Sequence, residues 1–115
     1  MNKYGAKKTE YKGIVYDSKW EANRAYELDM LERSGRISNL QRQVRFILLD
    51  GYINNRGEKI RPISYVADFV YIVKCGATVV EDTKSPATKT EAYRIKKKLF
   101  EHKYPDILFV ERMKK

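Results

Sequence analysis

Ile63-Ser-Tyr-Val-Ala-Asp-Phe-Val-Tyr-Ile-Val73 is the stretch of this chain that decides the fold. Most of its residues are β-branched or aromatic, which predicts a strand. Lys74-Cys75-Gly76 follows as a tight connection to a second apolar run at 77–83, so the two runs are expected to pair as an antiparallel hairpin. Acids interrupt both runs, Asp68 in the first and the adjacent Glu81 and Asp82 in the second. The sequence therefore predicts a hairpin that carries acidic side chains within apolar strands.

Further elements extend outward from this hairpin. Residues 18–34 are predicted as a helix, because Ser18 and Glu21 have the spacing of a capping box. Gly35 is expected to end that helix. The other predicted elements are a strand at 44–49, a loop at 50–59, a helix at about 89–103 that is capped by Thr88 and buries Ala92, Ile95 and Leu99, and a parallel strand at 107–110.

The order of these elements predicts the fold class. A helix, three antiparallel strands, a second helix and a final strand give an αβββαβ order, so the fold is expected to be α/β with a mixed sheet flanked by two helices. The 115 residues are expected to form one domain, since a chain of this length buries a single modest core. Residues 1–12 are expected to be a loose basic arm.

The composition excludes several classes of protein. No apolar run approaches the roughly 20 residues of a membrane span, and no apolar segment follows the basic N-terminus, so a cytoplasmic protein without a secretory leader is expected. Cys75 is the only cysteine and His102 the only histidine, which excludes an internal disulfide and a His-rich metal site. A metal ion would therefore need oxygen ligands.

The charge is strongly positive and unevenly distributed. The formal net charge is +9, from 24 Lys and Arg against 15 Asp and Glu. Residues 1–15 and 84–103 carry the excess of positive charge, whereas acids outnumber bases in residues 17–33. A basic surface with an acidic interruption suits a polyanion partner and a local cation site, so a nucleic acid is favoured over a basic face that is merely solvated.

The acids of the hairpin predict a metal site. Side chains alternate along a strand, so Asp82 and Lys84 face the same way and Glu81 faces the other. The hairpin brings Asp68 near Asp82, where like charges repel and a divalent cation reverses that effect. Mg²⁺, with Mn²⁺ as a substitute, takes such oxygen ligands, and the backbone carbonyl of Thr83 is a third candidate. Lys84 would then orient a water molecule toward a phosphorus atom.

This pattern resembles a known superfamily. Asp68, thirteen intervening residues and then Asp82-Thr83-Lys84 resemble the PD-(D/E)XK nucleases, which include restriction endonucleases and archaeal Holliday-junction resolvases. Ala67 stands where the signature has a proline. Nearly the whole chain is also similar to a family of small phage-encoded endonuclease-like proteins, through residues 2–7, 17–19, 65–69, 80–84, 97–100 and 104–107.

The resemblance implies a restriction-endonuclease-like core and a Mg²⁺-dependent DNA endonuclease of phage or prophage origin, acting in the bacterial host cell. It implies that Glu21 joins the metal site from the first helix and that Gln43 lies nearby. Cutting selected by DNA structure, on branched or recombining DNA, is favoured because no recognition helix for base readout is present. A homodimer is expected, since cutting both strands takes two sites. The expected nucleic-acid contacts are Lys7, Lys8, Gln43, Lys89, Tyr93, Arg94, Lys97 and Lys98.

The residues leave other interpretations open. Glu21 is also explained as a capping-box residue, and Asp68 as half of a buried ion pair with a lysine. Asp82 and Lys84 are also explained as a surface pair, and Glu81 competes with Asp82 as the metal ligand. Solvent exposure alone is an equal alternative for Tyr93 and Lys97 of the second helix, and an amide at a strand edge is an equal alternative for Gln43. The alternative functions are a DNA-binding protein without catalysis and, with no RRM-like or KH-like signature to support it, an RNA-directed nuclease.

Overall fold

The computed structural model describes residues 8–84 and 89–113, apart from the side chains of Lys84 and Met113. Lys7 and the cap predicted at Thr88 lie outside the described residues. The strands are β1 (Thr9–Tyr11), β2 (Ile14–Tyr16), β3 (Ile37–Leu49), β4 (Tyr52–Ile53), β5 (Lys59–Ile60), β6 (Ile63–Val73), β7 (Thr78–Lys84) and β8 (Leu108–Met113). The helices are α1 (Lys19–Arg33) and α2 (Glu91–Lys103).

Four strands form a central mixed sheet in the order β3-β6-β7-β8. β6 pairs antiparallel with β3 and with β7, and the short turn at 74–76 requires this direction for the pairing with β7. β7 and β8 are parallel, because α2 carries the chain back between them. The predicted α/β class with a mixed sheet and two helices is therefore confirmed. Neither helix in the described part of the chain has the length and apolar content needed to span a bilayer.

The two helices cover opposite faces of this sheet. Neighbouring residues of a strand point to opposite faces, and Val79 and Val80 of β7 belong to different hydrophobic clusters. The α1 cluster consists of the buried residues Tyr16, Ala22, Ala25, Leu28, Ile37, Phe69, Tyr71 and Val79. The α2 cluster consists of Leu48, Tyr65, Ala67, Val70, Val80, Tyr93 and Phe100.

Helix α1 begins and ends where its sequence predicts. The Ser18 side chain caps its first turn by accepting a hydrogen bond from the Glu21 amide at 3.1 Å. At the other end Gly35 adopts a φ of 81°, a left-handed conformation that suits glycine. The amides of Gly35 and Arg36 then donate to carbonyls of the last turn, at 3.0 Å each, which satisfies two of the free carbonyl groups of the helix end.

Helix α2 differs from its prediction in both its start and its buried face. It begins at Glu91, with Thr90 as the N-cap accepting a hydrogen bond from the Tyr93 amide at 3.1 Å. It buries Tyr93 and Phe100, whereas Ala92 is exposed and Ile95 is 53% exposed. Burying two aromatic side chains removes more apolar area from water than the predicted aliphatic stripe, so the helix is rotated toward them.

Three further segments were predicted incompletely. Residues 9–11 form β1 rather than a loose arm, because β1 pairs with β2 and the Tyr11 hydroxyl donates to Asp29 of α1 at 2.8 Å. β3 begins at Ile37 rather than at Val44, since its polar first half pairs with the far end of β6. The predicted loop at 50–59 contains β4 and the first residue of β5, which form a small hairpin.

Candidate active site

The pairing of β6 with β7 places two acids opposite each other. Phe69 pairs with Glu81, and continuing this register by one position sets Asp68 across from Asp82. Asp82 is only 2% exposed, so its carboxylate lies inside the protein beside the α2 cluster. Asp68 and Asp82 therefore lie on adjacent antiparallel strands, each one position beyond this last pair, and their part in a metal site stays a prediction.

Asp68 lies where the alternation of side chains along β6 is interrupted. On β6, Tyr65 and Ala67 belong to the α2 cluster but Phe69 belongs to the α1 cluster, so the alternation shifts by one residue at Asp68. Opposite Asp68 on β3 lies Gln43, whose φ of 53° is left-handed and unusual in a strand. This local irregularity places the Asp68 carboxylate at the boundary between the two layers, where groups from both can reach it.

The Asp68 carboxylate is held by neutral hydrogen-bond donors. Its Oδ2 accepts from the amide and the hydroxyl of Thr83, both at 2.8 Å. Its Oδ1 accepts from Gln43 Nε2 at 3.3 Å. No lysine forms an ion pair with it in the parts of the chain at 8–83 and 89–112. Gln43 thus lies beside a predicted site acid, and Thr83 contacts the same acid through its amide and hydroxyl. The predicted role of the Thr83 carbonyl as a metal ligand stays a prediction.

Glu21 of α1 approaches the same two acids. Burial, followed by the negative charges of Asp68, Asp17 and Asp82, raises the pKa of Glu21 to about 7, and the positive charge of Arg42 opposes that effect only in part. Ser18 caps the Glu21 amide, but no hydrogen bond to the Glu21 carboxylate is present among the described residues. The capping box is therefore only half formed, and the carboxylate belongs electrostatically with Asp68 and Asp82.

Two tyrosines lie next to Asp82 on the α2 side. Burial raises the pKa of Tyr65, and the neighbouring Asp82 charge adds to that effect. Burial raises the pKa of Tyr93 as well. The hydrogen bond to Glu111 and the Asp82 charge raise it further, each by a smaller amount. Both phenols therefore remain protonated at neutral pH, and the Tyr93 hydroxyl donates to Glu111.

Glu81, the competing acid, has a structural role. It is fully buried and binds Arg24 of α1 through two hydrogen bonds, Nε to Oε2 at 2.6 Å and Nη2 to Oε1 at 2.8 Å. Tyr71 and Arg112 also donate to its Oε1, at 2.9 and 3.2 Å. Burial alone would raise the pKa of Glu81, but Arg24 and the other donors hold it below its usual value. Strand alternation thus separates Glu81 from Asp82, as predicted.

Glu111 is a residue near the site that the sequence analysis missed. It pairs with Asp82 in the parallel ladder of β7 and β8. The Tyr93 hydroxyl donates to it at 2.6 Å, and the ammonium groups of Lys89 and Lys97 lie 3.3 Å from its Oε1. Burial would raise the pKa of Glu111, but these donors lower it. The signal available in the sequence was an acid following the apolar run at 107–110.

The other predicted nucleic-acid contacts are placed variously. Lys8, Arg94 and Lys98 are exposed, whereas Lys89, Tyr93 and Lys97 share Glu111 as a partner. Lys84 is the last residue of β7 and pairs with Met113, but its side chain lies outside the described residues. In the described ranges no three Asp, Glu, His or Cys side chains are grouped closely enough to bind a metal ion as they stand.

The comparison with known families covers the whole molecule. Residues 1–115 match one family model, which is described as a protein of unknown function, DUF1064. No curated protein and no solved structure matches the chain. Because the family model spans the full sequence, with both acids of the hairpin and the Glu21 helix inside it, the chain belongs to the DUF1064 family.

Proposed function

We propose that this protein is a divalent-metal-dependent DNA endonuclease with a PD-(D/E)XK-type core. The proposed reaction is hydrolysis of a phosphodiester bond, and the proposed substrate is DNA, with branched or recombining structures preferred. The chain would act in the bacterial host of a phage or prophage that encodes it. Glu21, Asp68, Asp82 and Lys84 are the proposed active-site residues.

One observation carries this proposal. The Glu21 carboxylate of α1 is partly buried and lies within electrostatic range of Asp68 of β6 and Asp82 of β7, and burial together with these negative charges raises the pKa of Glu21 to about 7. Bringing like charges together in a partly buried place costs free energy, and folds usually avoid it unless a ligand compensates. A site that binds a cation and then a phosphate is a direct explanation of such an arrangement.

The donor set fits a hard divalent cation. Carboxylate oxygens, with backbone carbonyls and water, are the ligands of Mg²⁺ and Mn²⁺, and mutual repulsion of the acids is the effect that a cation would relieve. Asp68 and Asp82 are the proposed principal ligands, with Glu21 and the Thr83 carbonyl as additional ones. When bound, the cation would neutralise charge and polarise the phosphate.

The residues of the chain itself then have distinct tasks. Gln43 and Thr83 fix the orientation of the Asp68 carboxylate through the hydrogen bonds described above. Glu21, with a pKa near neutrality, can accept or release a proton at its carboxylate. Lys84 is assigned by its place in the Asp82-Thr83-Lys84 pattern to orient the attacking water. Lys8, Arg94 and Lys98 offer exposed positive charge for DNA phosphates.

A substrate panel tests the proposal. Purified protein is incubated with duplex, single-stranded and four-way-junction DNA and with RNA, each with Mg²⁺, Mn²⁺ or EDTA, and the products are separated on denaturing gels. We expect metal-dependent cleavage of DNA by the wild type and at least a hundredfold slower cleavage by Asp68→Asn. The matched control is Asp50→Asn, which neutralises an exposed acid and should cleave at the wild-type rate. No cleavage of any substrate with either metal would reject the enzyme assignment.

The second candidate function is a DNA-binding protein that lacks catalysis. The observation that favours it is the absence, in the described residues, of three acids already grouped for a metal ion. It predicts salt-sensitive binding of DNA in the same panel with no metal-dependent nicking. A homodimer remains part of either proposal, and light scattering should then give about twice the chain mass of 13.6 kDa.

A further inference from the structure

Arg42 differs from the paired arginines of the described chain in how its charge is balanced. Arg24 and Arg112 bind Glu81, and Arg33 lies 3.7 Å from Asp29. Arg42 is partly buried, yet within residues 8–83 and 89–112 it has no acidic partner at ion-pair distance. Its Nε is buried and has no hydrogen-bond partner there. A buried donor without a partner is costly, which suggests that the guanidinium group is kept for a ligand.

The position of Arg42 is fixed by its neighbours. It pairs with Phe69 in the ladder between β3 and β6, directly before Gln43, which binds Asp68. Its Cζ lies 4.8 Å from the centre of the Tyr16 ring, a cation–π contact that holds one side of the guanidinium group against a buried aromatic residue. The remaining donors are therefore presented from a restrained side chain rather than from a freely rotating one.

Arg42 also lies within electrostatic range of the acidic site. Its positive charge lowers the pKa of Glu21, whereas the negative charges of Asp68, Asp17 and Asp82 raise it. Within residues 8–83 and 89–112 it makes no ion pair with Glu21, so no carboxylate neutralises its charge, although it lies within electrostatic range of the acid group that Glu21, Asp68 and Asp82 form. An anion that enters the site would therefore find one positive charge within electrostatic range of the acids.

We propose that Arg42 is a substrate-binding residue that hydrogen-bonds a phosphate group of the bound DNA strand next to the acid group. This inference rests on the proposed function, because it assigns the contact to the same site. A planar guanidinium group with several fixed donors matches the oxygens of a phosphate, and such charge-assisted hydrogen bonds are stronger than neutral ones. Lysine, as a point charge, reproduces the charge but not the planar geometry.

Single-turnover cleavage and DNA binding test this contact with three variants. Arg42→Gln removes the charge, Arg42→Lys keeps it, and Arg36→Gln removes an equal charge from the exposed residue beyond the far end of α1. For Arg42→Gln we expect the protein concentration at half-maximal cleavage to rise by roughly ten- to a hundredfold. The slope of log affinity against log salt should fall by about one phosphate contact, roughly 0.9. Arg42→Lys should fall between Arg42→Gln and the wild type, and Arg36→Gln should behave as the wild type.

The binding experiment uses fluorescence anisotropy of labelled duplex in EDTA, so that it does not depend on cleavage. Each variant is first checked by circular dichroism for a wild-type melting profile. If Arg42→Gln is destabilised, the affinity and salt slope of Arg42→Lys are compared with those of the wild type instead. Equal weakening by Arg42→Gln and Arg36→Gln would overturn the proposal, because only net charge would then matter. Unchanged affinity and salt slope in Arg42→Gln would overturn it as well.

These outcomes remain distinct from failure of the proposed function. A wild type that binds DNA but cleaves nothing rejects the nuclease, while the anisotropy slopes still decide the Arg42 contact. A wild type that cleaves DNA with an unchanged half-maximal concentration in Arg42→Gln rejects only the contact. If Arg42 acted through Glu21 instead of through phosphate, Arg42→Gln would shift the pH profile of cleavage upward and leave the salt slope unaltered, which would also overturn the proposal.

Discussion

Glu21→Gln is expected to make the protein more stable and less active. In the folded protein the pKa of the Glu21 carboxyl is about 7, against 4.5 for an ordinary glutamate. The neutral acid is therefore favoured by folding and the charged form is disfavoured. The cost is absent below about pH 4.5, grows as the pH rises, and is complete above about pH 7. An amide of the same shape carries no charge at any pH and removes that cost.

The magnitude follows from the same difference. At 1.36 kcal/mol for each pH unit, raising the pKa from 4.5 to about 7 corresponds to an upper limit of about 3 kcal/mol at pH 8. Partial solvent access to Glu21 reduces this, so we expect a gain of about 1–3 kcal/mol in the free energy of unfolding. For a domain of this size the gain raises the melting temperature by roughly 4–12 °C.

The assay is thermal and urea unfolding at pH values from 4 to 8.5 in EDTA. The control is Glu27→Gln on the same helix, which neutralises an exposed acid and should shift stability by less than about 0.5 kcal/mol. Glu21→Gln should exceed the wild type at pH 8 and converge with it toward pH 4.5. A variant that is no more stable at pH 8, or whose advantage is the same at every pH, would refute the reasoning.

Mg²⁺ supplies a second readout of the same variant. A cation that binds only the folded protein adds about 2.7 kcal/mol of stability when its concentration is a hundred times its Kd. We expect the wild type at pH 8 to gain stability with added Mg²⁺ and Glu21→Gln to gain less, while its cleavage of DNA falls. An equal gain in both proteins would remove Glu21 from the proposed ligands.

Three other substitutions test single contacts. Arg24→Met breaks the buried pair with Glu81 and should cost about 3–5 kcal/mol in urea unfolding; a loss below 1 kcal/mol would mean that the pair is not a principal support of the fold. Thr83→Val removes the hydroxyl bond to Asp68 but keeps the amide bond, so single-turnover cleavage should slow by about tenfold with the melting temperature little changed, and an unaltered rate would contradict this role. Thr90→Ala removes the cap of α2 and should cost about 1 kcal/mol, with an effect near zero counting against the cap.

The fold was largely predictable because its strongest signals are local. The apolar run at 63–73, the turn at 74–76 and the caps of α1 each specify one conformation from a few adjacent residues. The face of α2 was not predictable in this way, because aliphatic and aromatic stripes compete on one helix and only packing against the sheet selects Tyr93 and Phe100. The first half of β3 is polar and becomes a strand through its pairing with β6.

For the candidate site, the sequence was enough to place the acids on their strands, and their role stays a prediction. A strand period of two separated Asp82 from Glu81, and the hairpin set Asp68 and Asp82 on adjacent antiparallel strands. The partners of these acids came from distant elements that no local pattern connects. Arg24 binds Glu81, which lies 57 residues away in the sequence. Gln43 adopts a left-handed backbone conformation that glutamine rarely takes.

The Arg24–Glu81 pair also has a consequence for how β7 is aligned within the sheet. Sliding this strand by one residue would turn Glu81 toward Tyr65 and present the shorter Asp82 to the arginine. The two-pronged bond to the fully buried Glu81 would then be lost, and an unbalanced guanidinium group would be left inside the protein. The pair therefore fixes the register of β7. Glu81, which has no proposed part in the chemistry, ensures in this way that Asp82 points to the opposite face of the sheet.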